Sequence, residues 1–346
     1  MSDTSGHPQN GSSPELTMAV LGCGTMGIAI LSGILASLQE MQGPTKPVQP
    51  SASGTSTPLN EELPSRLPSR FIACVRRPES AKKVRAALGG YAGAISVVQN
   101  ENVASVRQSE VVILACKPYM VSEVLSEPGM AESLRGKLLI SICAGVSVEQ
   151  INGILRGGPS AGFAEEEEDD DGQGCRVVRA MPNTASLIRE SMTVIGSTTP
   201  PLPPQAMGLV TWIFRRIGEV VYLPATTMDA STALCGSGPA FFALMLEAAI
   251  DGAVAMGLPR AEAQRMAAQA MRGTAGLVLN GDHPALLRDK VSTPGGCTIG
   301  GLLVLEEGRV RGTVARAVRE ATVVASQLGK GVQGVNGTRF PGAQLD

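Results

Sequence analysis

Met18-Ala19-Val20-Leu21-Gly22-Cys23-Gly24-Thr25-Met26-Gly27 is the stretch that decides the fold of this chain. Its four apolar residues predict a short buried strand, and the apolar pattern from residue 26 to about 38 predicts a helix. A glycine-rich turn between a strand and a helix is typical of a dinucleotide-binding unit. Gly22 would allow the tight turn, Gly24 would let a pyrophosphate approach the backbone, and Gly27 would let the helix pack on the strand. The alternative is a tight turn without a ligand. The predicted cofactor contacts here are Gly22, Cys23, Gly24, Thr25, Met26 and Gly27.

The end of the next apolar run, residues 71–75, indicates which cofactor this unit binds. Arg76 and Arg77 follow the run directly, and no acidic residue stands there. An NAD site usually places a carboxylate at this point for the ribose hydroxyls, whereas a 2′-phosphate requires arginine. The two arginines therefore predict NADPH as the cofactor, with NADH possible. The alternative is a solvated pair of surface charges.

Further apolar runs continue the alternation of strands and helices, at residues 95–98, 111–116, 138–143, 176–180, 192–195 and 219–223. Ligands bind at the carboxyl ends of strands in such sheets. The residues that follow the runs are therefore candidate cofactor contacts: Asn102, Cys116, Lys117, Pro118 and Ala144. Asn183 would line the nicotinamide pocket and contact substrate. Three of these have plainer alternatives, because Asn102 suits a helix N-cap, Lys117 a solvated loop and Asn183 a simple Asx turn.

The composition is that of an ordinary water-soluble protein. Of 346 residues 43% are hydrophobic, the formal net charge is -2 and aromatic residues make up only 3%, which disfavours nucleic-acid partners. The seven cysteines form no CxxC pair, so a metal site or a disulfide framework is not expected. The most apolar helical stretch, residues 241–256, contains Glu247 and Asp251 and is interpreted as a core helix rather than a membrane span. We expect a cytoplasmic protein without a membrane partner.

The chain divides into an α/β part and a helical part. The fold class expected is an N-terminal Rossmann-type dinucleotide-binding domain followed by an all-α C-terminal dimerisation domain. The small, apolar faces of the late helices predict a homodimer. The predicted boundaries are a disordered extension at 1–15, a Rossmann domain at 16–225 with insertions at about 41–69 and 157–174, a helical domain at 226–332 and a flexible tail at 333–346.

A second glycine-rich turn lies between two late helices, in Asp289-Lys290-Val291-Ser292-Thr293-Pro294-Gly295-Gly296-Cys297-Thr298-Ile299-Gly300-Gly301. Such a turn can direct several backbone N–H groups and hydroxyls at one small anion. We interpret it as a carboxylate cradle. Its predicted substrate contacts are Ser292, Thr293, Gly295, Gly296, Cys297 and Thr298. Thr298 has a plainer alternative as the N-cap of the helix that follows.

Together, the two glycine turns resemble those of the pyrroline-5-carboxylate reductase family. The most specific match is Arg288-Asp289-Lys290-Val291-Ser292-Thr293-Pro294-Gly295-Gly296-Cys297-Thr298, which is similar to the family signature, and the resemblance extends over about residues 17–329. Supporting matches are Met181-Pro182-Asn183-Thr184 and Cys235-Gly236-Ser237-Gly238-Pro239-Ala240. The departures are the two insertions, the N-terminal extension, and Cys235 where a serine is common.

The resemblance implies both an activity and an assembly. The implied reaction is hydride transfer from NAD(P)H to the cyclic imine 1-pyrroline-5-carboxylate, which gives L-proline in the last step of proline biosynthesis. Thr298 would be the catalytic residue, hydrogen-bonded to the ring nitrogen and carboxylate, and Ser237 would contact substrate. The family also implies a homodimer or a ring of dimers, with each active site formed between the cofactor of one subunit and helices that include the partner's.

Two other classes of function remain open at this point. One is another NADP-dependent imine or β-hydroxyacid reductase, which would need a lysine general acid for which Lys290 is the candidate. The other is a non-catalytic NADPH-binding regulator. A histidine-based dehydrogenase is disfavoured, because His7 lies in the N-terminal extension and His283 stands at a predicted helix start.

Overall fold

A computed structural model describes residues 15–42, 64–157, 174–329, 332 and 335. The predicted tail at 333–346, apart from residue 335, lies outside the described residues. So do residues 1–14 of the predicted extension and most of the two predicted insertions. At the margins of the first insertion, Met41 belongs to a helix and residues 68–69 belong to a strand, so both elements extend further than the sequence pattern indicates.

The described residues of the N-terminal part build one eight-stranded sheet. Its strands are β1 (Leu16–Leu21), β2 (Pro68–Val75), β3 (Ile95–Gln99), β4 (Val111–Leu114), β5 (Leu138–Ser141), β6 (Arg176–Met181), β7 (Ser191–Ser197) and β8 (Gly218–Pro224). The order across the sheet is β3-β2-β1-β4-β5-β6-β7-β8. The strands from β3 to β6 are mutually parallel, β7 is antiparallel to β6, and β8 is parallel to β7.

Helices cover both faces of this sheet. They are α1 (Thr25–Gln42), α2 (Pro78–Leu88), α3 (Asn102–Arg107), α4 (Val121–Leu125), α5 (Met130–Leu134), α6 (Val148–Leu155) and α7 (Pro204–Arg215). One buried cluster includes Phe71, Trp212 and Phe214, and a second on the other side includes Leu114 and Leu139. Strands that are buried on both faces need continuous apolar sequence, which is why β1, β4 and β5 appear as unbroken apolar runs.

The strand order creates the place where a ligand can bind. From β1 the chain moves outward to β2 and β3, and then returns to the opposite side of β1 with β4. The helices connected to the carboxyl ends of β1 and β4 therefore diverge, which opens a crevice there. The predicted fold class, a Rossmann-type domain followed by helices, is confirmed.

After Pro224 the described chain is helical. A short helix α8 (Met228–Ser231) and a π-helical turn (Thr232–Gly236) lead into the longer elements. These are α9 (Gly238–Ala255), α10 (Arg260–Leu279), α11 (Pro284–Val291), α12 (Cys297–Glu307) and α13 (Val310–Gly329). Helix α10 packs against α9, and α12 and α8 pack against α13.

The interpretation of residues 241–256 as a core helix is wrong for the single chain. Within α9 only Gly238 and Ile250 are buried, and Phe242 and Leu244 are exposed. The helical stretch Ala225–Ala255 is long and apolar enough to cross a membrane by length and composition alone, and only 17% of its most apolar window is buried. An exposed apolar surface of this kind marks a contact with another protein or with a membrane.

Two predicted helix caps are also displaced. Helix α3 begins at Asn102 itself, and Glu101 occupies the N-cap position. The Asn102 side chain donates instead from Nδ2 to Glu127 Oε1 over 2.6 Å. Helix α12 begins at Cys297 with Gly296 as its N-cap, so Thr298 is the second helical residue rather than the cap.

Candidate active site

The first glycine turn is fixed by the two strands on either side of β1. Gly22 has a φ of 76°, in the left-handed region that favours glycine. A Cβ on Gly22 would lie 2.6 Å from Cα of Cys116, at the end of β4. From the other side, the N–H groups of Gly22 and Cys23 both donate to the carbonyl of Cys74 in β2, over 3.1 and 2.9 Å. The turn is therefore held tightly against its neighbours.

The other two glycines of the turn have the surroundings that a dinucleotide requires. Gly24 is exposed, and a Cβ there would meet no atom closer than the Gly22 carbonyl oxygen at 3.9 Å, so a ligand can approach its backbone. A Cβ on Gly27 would lie 3.0 Å from Cγ1 of Val20, which shows that α1 packs closely on β1. These surroundings fit a pyrophosphate at the N-terminus of α1.

The remaining predicted cofactor contacts lie along the same edge of the sheet. Arg76 and Arg77 follow β2, Asn102 opens α3 after β3, and Ala144 lies shortly after β5. Cys116, Lys117 and Pro118 follow β4. Because parallel strands end at one edge, the fold brings these residues to the same edge of the sheet as the glycine turn. Their individual contacts with a cofactor stay predictions.

Both arginines after β2 are exposed, and Arg76 has an acidic neighbour. Its Nη1 lies 4.0 Å from Oε1 of Glu123 in α4, with side chains 51% and 68% exposed. Glu123 could not be identified from the sequence, because it lies far from Arg76 along the chain and only the order of the strands brings the two residues together. The pair is a candidate part of the cofactor site.

Two thiols, those of Cys116 and Cys143, lie close together after the ends of β4 and β5. Cys143 is buried, and its Sγ donates to the carbonyls of Leu114 and Cys116 over 3.4 and 3.3 Å. A hydrogen bond from Cys143 lowers the pKa of the Cys116 thiol, and the same hydrogen bond raises the pKa of Cys143. Burial raises the pKa of Cys23, which follows β1, to about 12 and that of Cys74 in β2 to about 11.

We expect alkylation to distinguish these thiols. At pH 8 the raised pKa values keep Cys23 and Cys74 protonated, whereas the lowered pKa of half-buried Cys116 increases its thiolate fraction. Iodoacetamide should therefore modify Cys116 at least about ten-fold faster than Cys23 or Cys74. Saturating NADPH should protect Cys116, because Gly22 and Cys116 are in contact. Peptide mass spectrometry over time gives the rates, and equal rates for Cys116 and Cys23 would contradict this assignment.

Asn183 makes the Asx turn that was its plainer alternative. Its Oδ1 accepts from the Ala185 N–H, and its Nδ2 donates to the carbonyl of Cys235, both over 3.0 Å. The second bond ties the end of β6 to the π-helical turn that precedes Ser237 and α9. Asn183 thus joins the sheet to the helical part, and its contact with substrate stays a prediction.

A buried cation near this junction was missed by the sequence reasoning. Arg179 in β6 has a side chain only 10% exposed, with Nη2 4.0 Å from Oδ1 of Asp229 in α8. Its Nε and Nη2 have no hydrogen-bond partner within the described residues. A charged residue inside a strand of apolar neighbours was the available signal, because such a residue needs a buried partner.

The second glycine turn uses part of its polar capacity internally. The Ser292 hydroxyl donates to the carbonyl of Arg288 over 2.8 Å, and the Gly296 N–H donates to the carbonyl of Thr293 over 3.0 Å. These two groups are therefore engaged within the chain and would need to rearrange to bind a ligand, and the contacts of the predicted cradle with substrate stay a prediction. Gly295 has a φ of 70°, and Thr298 is half-buried in the first turn of α12. The N–H groups in that first turn have no partner within the helix and remain candidates for an anion.

The single chain does not bring the two glycine turns together through any extensive contact among its described residues. The main packing of α12 is against α13, and α13 packs against α8 and the π-helical turn. Val291, Thr293 and Ile299 are exposed around the second turn.

Comparisons with known proteins agree with this division of the chain. Residues 225–328 match the family described as pyrroline-5-carboxylate reductase dimerisation. Residues 55–145 match the family described as NADP oxidoreductase coenzyme F420-dependent. The first match coincides with the helical part, and the described residues of the second belong to strands β2 to β5 and the helices between them.

Individual relatives extend the likeness over nearly the whole chain. A pyrroline-5-carboxylate reductase of Lophium arboricola is 65% identical over 94% of this chain and 97% of its own length. Another of Neurospora crassa is 57% identical over 96% of this chain and 99% of its own. In fold, the chain is similar to the crystal structure of Plasmodium falciparum pyrroline carboxylate reductase with NADP bound, with a TM-score of 0.68, 24% identity and coverage of 91% and 98%.

The sequence resemblance is thereby confirmed on independent grounds. An NADP-oxidoreductase sheet and a dimerisation module account for the two structural parts. Identity of 65% and 57% over almost the full length excludes the alternative assignment to the β-hydroxyacid dehydrogenases. The chain belongs to the pyrroline-5-carboxylate reductase family of NADP-dependent oxidoreductases.

Proposed function

We propose that this chain reduces 1-pyrroline-5-carboxylate to L-proline with NADPH, as the last step of proline biosynthesis, in sites shared between two subunits. The observation that carries the proposal is the first glycine turn. Gly22 packs closely against Cys116, whereas no atom blocks the approach to Gly24. The backbone at Gly24 is therefore accessible to a pyrophosphate at the carboxyl edge of the sheet. The names of the relatives support the identity of the substrate.

The residues around the crevice suit NADPH. The open backbone at Gly24 and the N-terminus of α1 would hold the pyrophosphate, and Arg76 and Arg77 would hold the 2′-phosphate. Cys116, Lys117, Pro118, Ala144 and Asn102 would contact the rest of the molecule. When bound, reduced nicotinamide supplies the hydride for the imine carbon. The NADP named for the Plasmodium protein supports this choice.

The second glycine turn would orient the substrate. Backbone N–H groups around Gly295, Cys297 and Thr298 would receive the carboxylate at the N-terminus of α12. The Thr298 hydroxyl would hydrogen-bond the ring nitrogen and the carboxylate and would relay a proton to the nitrogen from water. This arrangement needs no histidine or carboxylic acid as a dedicated catalyst. Ser237, half-buried before α9, would complete the pocket.

A homodimer would bring the two turns together. In one chain the apolar helix α9, helix α10 and the second turn are largely exposed, and the matched dimerisation family covers all of them. A partner that covers these helices would place its own turn over the cofactor edge. We propose a dimer, or a ring of dimers, in the cytoplasm, without a membrane or nucleic-acid partner.

The test is turnover with a defined product. Purified protein, NADPH and racemic pyrroline-5-carboxylate should give a loss of NADPH absorbance matched by L-proline in amino-acid analysis. Repeating the assay with NADH gives the cofactor preference. Tight NADPH binding without any absorbance loss at saturating substrate would refute the proposal and favour a non-catalytic NADPH-binding regulator.

A further inference from the structure

The carboxylate of Glu123 lies beside the guanidinium of Arg76, which follows the end of β2. An NAD site usually carries an acidic residue at the end of β2, and this chain has Arg76 and Arg77 there instead. In the fold, Oε1 of Glu123 lies 4.0 Å from Nη1 of Arg76. The end of β2 therefore has both an arginine and a carboxylate, although the carboxylate belongs to a different βα unit.

Glu123 follows β4 closely in the chain, and it therefore lies near the carboxyl edge of the sheet, where the cofactor is proposed to bind. A 3-10 turn (Pro118–Met120) begins two residues after Cys116 and leads directly into α4, which contains Glu123 in its first turn. Tyr119 within that 3-10 turn is 81% exposed. The Glu123 side chain is 68% exposed, so its contact with Arg76 is open to exchange with a ligand.

Glu123 and a 2′-phosphate would compete for the same guanidinium. A phosphate dianion that binds Arg76 must displace the carboxylate from the guanidinium, and this exchange weakens the binding of the phosphate. The carboxylate would instead strengthen the binding of a ribose with a free 2′-hydroxyl, because it accepts a hydrogen bond from that hydroxyl. One acidic side chain would thus weaken NADPH binding and strengthen NADH binding.

We propose that Glu123 is a specificity-determining residue that moderates the preference for NADPH and lets the enzyme use NADH as well. The proposal rests on the proposed function, because it assigns Arg76 to the 2′-phosphate. It makes cofactor preference a property of the Arg76–Glu123 pair rather than of the two arginines alone.

We expect Glu123→Gln to change KM modestly for each cofactor and to change the ratio of the two kcat/KM values more strongly. Exposed ion pairs have small net effects, so Glu123→Gln should lower KM for NADPH by about two- to five-fold. The loss of a carboxylate acceptor for the ribose should raise KM for NADH by about two- to three-fold. The NADPH-to-NADH ratio of kcat/KM should then rise by roughly four- to fifteen-fold.

The experiment compares Glu123→Gln with a matched change at a distant site. Glu219→Gln removes the same charge from β8, at the opposite edge of the sheet from β3 and β2, and should leave both KM values as in the wild type. Arg76→Gln with and without Glu123→Gln closes a double-mutant cycle. Because Glu123 acts through Arg76, its effect on KM for NADPH should largely disappear when Arg76 is glutamine.

A fragment assay separates this inference from the proposed function. Calorimetry with 2′,5′-ADP and 5′-AMP measures the contribution of the 2′-phosphate without any turnover. Glu123→Gln should tighten 2′,5′-ADP by the same factor as NADPH and leave 5′-AMP no tighter. An unchanged ratio of the two fragments would overturn the role of Glu123 even if the enzyme makes proline, and so would an effect that persists undiminished in Arg76→Gln.

Discussion

Gly22→Ala is expected to destabilise the protein by about 2–5 kcal/mol, a large share of the stability of a typical domain. At a φ of 76° an alanine is in the left-handed region, which disfavours a Cβ. Its Cβ would also lie 2.6 Å from Cα and 2.8 Å from N of Cys116. Those are backbone atoms of the strand end next to β1, so no side chain can rotate to relieve the contact. Urea unfolding followed by circular dichroism measures the loss.

Gly24→Ala is the matched control in the same turn. The nearest atom to a Cβ on Gly24 is 3.9 Å away, so its stability should remain within about 1 kcal/mol of the wild type. The added methyl group would nevertheless occupy the surface that a pyrophosphate approaches, and NADPH affinity should fall by at least about ten-fold. Equal unfolding midpoints for Gly22→Ala and the wild type would contradict the packing described at Cys116. Unchanged NADPH affinity in Gly24→Ala would remove the turn from the cofactor site.

The fold could be predicted best at positions where both the local backbone conformation and the packing of neighbouring elements require the same residue type. A tight turn, an open backbone and a close helix each need a glycine at a fixed spacing, and Gly22, Gly24 and Gly27 have those surroundings in the structure. Continuous apolar runs identified the strands because parallel strands are buried on both faces. The structure extends several of these elements by one to three residues, since backbone pairing continues beyond the apolar segment.

Contacts between distant parts of the chain could not be predicted in this way. Glu123 reaches Arg76 only because the strand order places β4 beside β1, with α4 across the crevice from β2. The amide of Asn183 and the hydroxyl of Ser292 were assigned to ligands, yet each finds a backbone partner within the chain. Short polar side chains bind nearby backbone as readily as a ligand, and residue type alone does not distinguish the two.

Thr298→Ala is expected to lower kcat/KM for pyrroline-5-carboxylate by roughly 10- to 100-fold while NADPH affinity stays within about two-fold. A hydroxyl that hydrogen-bonds a charged substrate contributes about 1.5–3 kcal/mol, which corresponds to that loss. Thr298 is the second residue of α12 and caps no helix, so alanine should not weaken the fold. Steady-state kinetics and NADPH fluorescence titration measure the two quantities.

Thr298→Ser is the control for this prediction. Serine keeps the hydroxyl and loses only a methyl group, so it should retain most of the turnover. A turnover in Thr298→Ala equal to that of the wild type would assign the residue to α12 alone. A similar loss in both variants would indicate a packing role for the methyl group instead of a hydrogen bond.

Subunit mixing shows whether Thr298 acts on the cofactor of its own chain or of its partner. The Thr298→Ala variant is mixed with Gly24→Asp. The added carboxylate of Gly24→Asp would repel a pyrophosphate, while the second glycine turn of that variant stays intact. If sites are shared, each mixed dimer contains one site with both an intact first turn and an intact Thr298. Random exchange of the two impaired variants should then restore about one quarter of wild-type activity, because half of the dimers are mixed and each has one working site. If each site were built from a single chain, exchange would restore nothing above the parents, since every chain would keep its own defect. In the single chain the second glycine turn is exposed and makes no extensive contact with the first turn. We therefore expect the mixed dimers to regain activity.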